Sequence, residues 1–283
     1  MYKFPIGVMM ESFCKPIDES LDIAAKMGAE GIQMYAIDNY CAEKLSTANR
    51  KELFKKLTDR GLVFSAICGD FGHGFGYPEL NDELVERSKR TLDLALELGT
   101  NIVTTHIGVV PDDVNHPRYK IMQEACFKIA EYANANKGFF AVETGPESAD
   151  VLKGFLDSLG SKGVSVNFDP ANLVMIKNEN VVKAVHTLKD YIVHTHAKDG
   201  KFYKPCIPEY TYNVVRDIPA GYTTEGCCEE VALGTGGVPY KEYLQALDDI
   251  GYKGFLTIER EVGANPTADI QIAYDFLKKL EEE

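Results

Sequence analysis

Four short stretches of the chain, VETGP (142–146), NFDPANL (167–173), VHTHAKD (193–199) and TIERE (257–261), carry a β-branched or apolar run up to an acid or a histidine. The residues in question are Glu143, Asp169, His196 and Glu259. Any one of the acids could simply cap a helix or pair with a lysine. Brought to one place, three carboxylates would repel strongly unless a cation lay between them. Three oxygen donors and one nitrogen suit a single divalent ion, Mn²⁺ ahead of Co²⁺, Mg²⁺ or Zn²⁺, with coordination positions left for a substrate.

The elements that would bring them together can be read from hydrophobic periodicity. Eight strand-like runs occur at 5–10, 31–36, 63–69, 101–108, 139–145, 164–170, 191–197 and 255–261. Between them, and after the last, lie stretches with apolar residues at helical spacing, such as KELFKKLTDRG and YKEYLQALDDIG. Six of the seven connecting helices close on or run through a glycine (Gly28, Gly61, Gly99, Gly138, Gly163, Gly251), as helix C-termini favour. Strand and helix alternating eight times is the pattern of a (β/α)8 TIM barrel, here one α/β domain over residues 1–283. A doubly wound open sheet is the alternative, but no Gly-rich phosphate loop follows the first strand.

In such a barrel the strand C-termini build the active site. Glu143, Asp169, His196 and Glu259 close strands five to eight, with separations of 26, 27 and 63 residues. The first two equal one βα unit. The third is one unit plus a long connection over 200–238, rich in aromatics and without a clear period, which is expected to be a lid or an interface loop. Side chains alternate along a strand, so Ala141 and Glu143, Asn167 and Asp169, His194 and His196, and Thr257 and Glu259 share faces.

The 283 residues carry a net charge of −13, which disfavours nucleic acid as a partner. The opening MYKFPIGVMMESF reads as neither a signal peptide nor a membrane span, so a cytoplasmic protein without a membrane partner is expected. Seven cysteines without a CxxC pair fit reduced thiols, although Cys206, Cys227 and Cys228 leave a redox or zinc role open.

Together the stretches VETG, NFDPANL, VHTHAKD, LGTGG and YKGFLTIERE, with ALELGTNIVTTHIG upstream, resemble the xylose-isomerase-like barrel superfamily of sugar isomerases and epimerases. The resemblance implies one catalytic divalent metal at the four positions. It implies further that Glu143 and Glu259 move the substrate proton while Asp169 and His196 are ligands only. Ketose 3-epimerases of this kind place a histidine three residues after the metal aspartate and an arginine six after the metal histidine; this chain has Asn172 and Phe202 there. In the endonuclease IV-like branch His106 would match a metal histidine, but Cys68-Gly69 and Asn172 stand where further histidines are wanted.

The reaction expected is isomerisation or epimerisation of a sugar or sugar-like polyol through a metal-stabilised enediolate. A keto-inositol dehydratase on the same barrel is the alternative, ahead of an endonuclease IV-like hydrolase and a non-catalytic metal-binding subunit. His106, Asn172, Lys198 and Asp199 are the candidate substrate-binding residues. His194 reads as a hydrogen-bonded core residue, His73 as part of a surface turn, and Leu233–Gly237 as a glycine turn that could cradle a phosphate. Homo-oligomerisation is left open.

Overall fold

The computed structural model describes residues 3–72 and 74–282, so His73 lies outside the described residues. The eight expected strands are β1 (Ile6–Met9), β2 (Gly31–Tyr35), β3 (Val63–Cys68), β4 (Ile102–Thr105), β5 (Phe139–Glu143), β6 (Val164–Phe168), β7 (Ile192–Ala197) and β10 (Leu256–Ile258). All run parallel and close into a barrel in the order β1-β10-β7-β6-β5-β4-β3-β2. The helices between and after them are α1 (Ile17–Met27), α2 (Thr47–Thr58), α3 (Pro78–Glu97), α4 (Pro117–Ala135), α5 (Ala149–Leu159), α7 (Val181–Leu188), α9 (Tyr240–Asp249) and α10 (Pro266–Glu282); a short turn, α6 (Pro170–Asn172), follows β6. This is the (β/α)8 barrel that the alternation of periods requires. Among the described residues no helix is long and apolar enough to cross a membrane.

Each helix turns an apolar stripe to the barrel. In α5, Leu152, Phe155, Leu156 and Leu159 recur at helical spacing and are all buried. Burying each stabilises the packed layer by roughly 1.5–3 kcal/mol. Ser46, Ser148 and Asn180 cap α2, α5 and α7 by accepting the amides of Asn49, Val151 and Lys183.

Two of the expected helix-ending glycines have a different task. The chain leaves α5 at Gly160 (φ +63°), and leaves α4 with Lys137 in the left-handed region (φ +57°). Gly138 and Gly163 are instead points of close approach. A Cβ at 163 would fall 1.9 Å from the Ala130 carbonyl oxygen, and one at 138 would fall 2.7 Å from Leu92 Cδ1. At 163 only a residue without a side chain lets β6 start against the α4 backbone, whereas at 138 a side chain would have to displace Leu92 of α3.

The connection between β7 and β10 is more ordered than its sequence suggests. It begins and ends as an antiparallel hairpin of β8 (Asp199–Phe202) and β9 (Cys228–Val231), with Phe202 opposite Cys228 and a helical turn, α8 (Pro208–Thr211), in the excursion between. The excursion lies back across the top of the barrel. Glu209 pairs with Arg118 (3.1 Å), Arg216 pairs with Glu79 (2.5 Å) and stacks over the Tyr77 ring, and Tyr77 Oη donates to the Val214 carbonyl (3.1 Å).

Candidate metal centre

The four strand-end residues converge. One ligand atom from each of Glu143, Asp169, His196 and Glu259 lies within 4.8 Å of the others, and all four side chains are buried. His196 Nδ1 is 3.2 Å from Glu259 Oε2, 3.6 Å from Glu143 Oε2 and 3.7 Å from Asp169 Oδ2. Yet Nδ1 and Asp169 Oδ2, both fully buried, make no hydrogen bond. Unpartnered buried polar atoms are costly, and two of them facing the same point among carboxylates fit a missing cation. Donor type, burial and orphaned atoms therefore all suit one divalent ion.

Local structure fixes each donor. Asp169 follows β6 and caps the turn after it, its Oδ1 accepting the amides of Ala171 (2.8 Å) and Asn172 (3.0 Å), so Oδ2 is the oxygen left over. Thr144 Oγ1 donates to the Asp169 carbonyl and accepts its amide, tying the ends of β5 and β6 together. Glu143 Oε1 accepts from Asn172 Nδ2 (2.8 Å) and Oε2 from Asn167 Nδ2 (3.2 Å). Glu259, one residue beyond β10, is held to β7 by its amide on the Ala197 carbonyl (3.2 Å), and its Oε2 accepts from Lys198 Nζ (2.9 Å).

Below these donors the barrel interior is polar. Gln33 (β2), Ser65 (β3), Thr104 (β4), Asn167 (β6), His194 (β7) and Thr257 (β10) are all buried. Gln33 Nε2 donates to Thr104 Oγ1 (3.0 Å), and Gln33 Oε1 lies 3.1 Å from His196 Nε2. His194 Nδ1 is 2.9 Å from Asn167 Oδ1 and its Nε2 is 3.0 Å from Thr257 Oγ1, so His194 is the core histidine expected. The alternation seen in the sequence holds: the partners two residues before Asp169, His196 and Glu259 all point inward.

The electrostatics divide the two glutamates. Burial, opposed by His106 and His196 but reinforced by Glu259 and Asp169, raises Glu143 to about 7. Burial also works against charge on Glu259, but His196 and Lys198 outweigh it and hold that carboxyl well below its usual range. Burial opposes a charged His196 too, yet Glu259 and Glu143 keep its pKa well above the ordinary value. His106 is likewise raised to about 9: Glu143 and a 3.0 Å contact to Asp70 overcome its burial.

A cavity of about 240 Å³ opens above the cluster. Glu143, Glu259, His106, Asn172 and Lys198 line it, together with Asp70, Tyr35 and the excursion residues Tyr212 and Val214. Asn172 reaches the wall with its amide already given to Glu143 Oε1. Asp199 does not line the cavity. Its carboxylate accepts the amides of Gly200 (2.9 Å), Gly234 (3.0 Å), Gly236 (2.8 Å) and Val238 (3.1 Å). That corrects two expectations together: the glycine turn is an anion cradle, but the chain's own Asp199 fills it, leaving no place for phosphate.

Sequence reasoning missed Gln33, Asp70 and Glu230, the last of which sits on β9 between Lys198 (3.9 Å) and Arg260 (2.6 Å). None follows a recognisable motif. Each is defined by a partner at least thirty residues away in the chain. Asn167 and Thr257, by contrast, were legible as same-face partners of proposed ligands.

A family model described as xylose isomerase-like TIM barrel matches residues 21–280. A xylose isomerase domain protein from Planctomyces limnophilus superposes with a TM-score of 0.78 at 24% identity, over 99% of this chain and 97% of that one. A D-tagatose 3-epimerase-like protein gives a TM-score of 0.73 at 19% identity over 99% of both chains. In sequence, the chain is 21% identical over 253 residues to an uncharacterized protein of Methanocaldococcus jannaschii, covering 84% of this chain and 78% of that protein.

Proposed function

Because the chain belongs to the xylose isomerase-like TIM barrel family, we propose that it is a divalent-metal-dependent isomerase or epimerase acting on a sugar or sugar-like polyol. The observation that carries this reading is the pair of glutamates, Glu143 and Glu259, on the wall of one cavity and among the four clustered donors. Two carboxyls facing one space are suited to give and take one proton.

Glu143, Asp169, His196 and Glu259 would hold the ion. Bound there, it supplies Lewis acidity that makes a hydrogen beside a substrate carbonyl acidic. Glu259, kept ionised by Lys198, takes that proton from one face. Glu143 returns one from the other face or to the neighbouring carbon; the direction reverses for the reverse reaction. His106 and Lys198 donate to substrate hydroxyls, and Tyr212 with Val214 closes the cavity against water. Mn²⁺ is the first candidate ion.

A keto-inositol dehydratase is the second reading, favoured by Lys198: its buried ammonium lines the cavity and is placed to protonate a departing hydroxyl. A screen of metal-loaded protein against ketoses, keto-inositols and hydroxy-ketoacids in D₂O separates the two. Epimerisation or isomerisation gives a product of unchanged formula carrying deuterium beside the carbonyl. Dehydration gives a product that has lost water. No turnover with any of the three classes, by protein of full metal content, would contradict both.

A further inference from the structure

The metal histidine has two nitrogens, and the floor of the cavity distinguishes them. His196 Nδ1 faces the three carboxylates without a hydrogen bond, while Nε2 points away from them into the barrel, 3.1 Å from Gln33 Oε1. At its other end the Gln33 amide nitrogen donates to Thr104 Oγ1 (3.0 Å). An amide oxygen accepts and never donates, so the imidazole nitrogen facing it must carry the proton. Nδ1 then keeps its lone pair for a cation.

A competing contact runs the other way. Asn167 Nδ2, 3.2 Å from the same Nε2, carries two hydrogens and so meets both this nitrogen and Glu143 Oε2, while its oxygen is engaged by His194. A neutral ring that gives Nδ1 to a cation has its one proton on Nε2, and of the two neighbours there only Gln33 Oε1 can accept it. We propose that Gln33 is a positioning residue for the metal centre, fixing His196 in the Nε2–H form so that Nδ1 is the ligand. Thr104 holds the far end of the Gln33 amide. The role rests on the metal reading of the preceding section. It assigns a task to a β2 residue that contributes no ligand, and it explains a polar layer where barrels of this kind carry branched aliphatic side chains.

His194 provides an internal contrast. Its Nδ1 faces an amide oxygen, Asn167 Oδ1, and its Nε2 faces the Thr257 hydroxyl, so it takes the opposite tautomer two residues away on the same strand.

The test combines spectroscopy with a titration. In wild-type protein loaded with diamagnetic Zn²⁺, ¹⁵N correlation spectra of the imidazoles should show His196 protonated at Nε2 and His194 at Nδ1. Zn²⁺ titration of Gln33→Leu should give an affinity about 10–100-fold weaker than wild type. Gln33→Glu, which retains an acceptor at that position, should recover most of the loss. Protonation of His196 at Nδ1, or unchanged Zn²⁺ affinity in Gln33→Leu, would overturn the proposal. If the leucine variant does not fold, the wild-type tautomer alone decides. Failure of wild type to bind Zn²⁺ at all would instead overturn the metal reading.

Discussion

Asp169 divides its oxygens between two tasks: Oδ1 caps a helical turn, and Oδ2 faces His196 and Lys198 without a hydrogen bond. Removing this side chain or His196 should abolish binding of the single divalent ion while the barrel still folds. Metal analysis of Asp169→Ala and His196→Ala checks this, and full occupancy in both would contradict the ligand assignment. The raised pKa of His196 adds a sign: Glu259 and Glu143 favour a proton on the ring, and a cation at Nδ1 competes with it. Binding should therefore release protons, and affinity should fall as pH is lowered. Titration calorimetry in two buffers of different ionisation enthalpy reads this directly.

Outside the centre, buried Glu147 accepts the Val110 amide while its second oxygen has no partner, and burial raises its carboxyl from 4.5 to about 8. Between those values the folded state retains a proton that the unfolded chain has lost, so stability declines as pH rises through that window. Glu147→Gln should be more stable than wild type at about pH 9 and nearly equal to it at about pH 5. Thermal melts at both values test this; a difference that does not grow with pH would count against it.

At the scale of elements, the β8–β9 hairpin deserves its own test because its sequence concealed it. Asp199 sits beside the metal histidine in the chain, which suggests a site residue, yet its carboxylate organises the amides of a turn more than thirty residues later. Asp199→Ala should destabilise the protein by about 1–3 kcal/mol and speed hydrogen exchange at Gly234, Gly236 and Val238. Equal exchange in variant and wild type would refute that anchoring. The excursion carried by this hairpin brings Tyr212 to the cavity wall, with its ring 5.7 Å from that of His106. Tyr212→Ala should raise KM about tenfold, the equivalent of roughly 1.4 kcal/mol, and leave metal content unchanged. An unaltered KM would return the excursion to an interface role.

For the whole molecule, the eight strands and their order were legible because a strand of period two and a helix of period 3.6 leave different apolar patterns. The four-residue cluster was legible because β-alternation and strand-end position are local properties of Glu143, Asp169, His196 and Glu259. What stayed hidden was set by distance across the barrel. Gln33 meets His196 from 163 residues away, and no local pattern marks it. Gly138 and Gly163 read as helix ends because the sequence does not reveal which helix crosses above a strand.

A cation joining four of the eight strands should also stabilise the entire barrel, by about 2.7 kcal/mol at a hundredfold excess over Kd. The most direct test of the central claim, that Glu143 and Glu259 pass a proton to and from a metal-activated substrate, is turnover in D₂O by Glu143→Gln and Glu259→Gln beside wild type, compared at equal metal content. The expected result is deuterium at one carbon beside the carbonyl in the wild-type product and a rate lower by about 10²–10⁴-fold in each variant. Near-normal turnover by both variants on a substrate that wild type converts would contradict it.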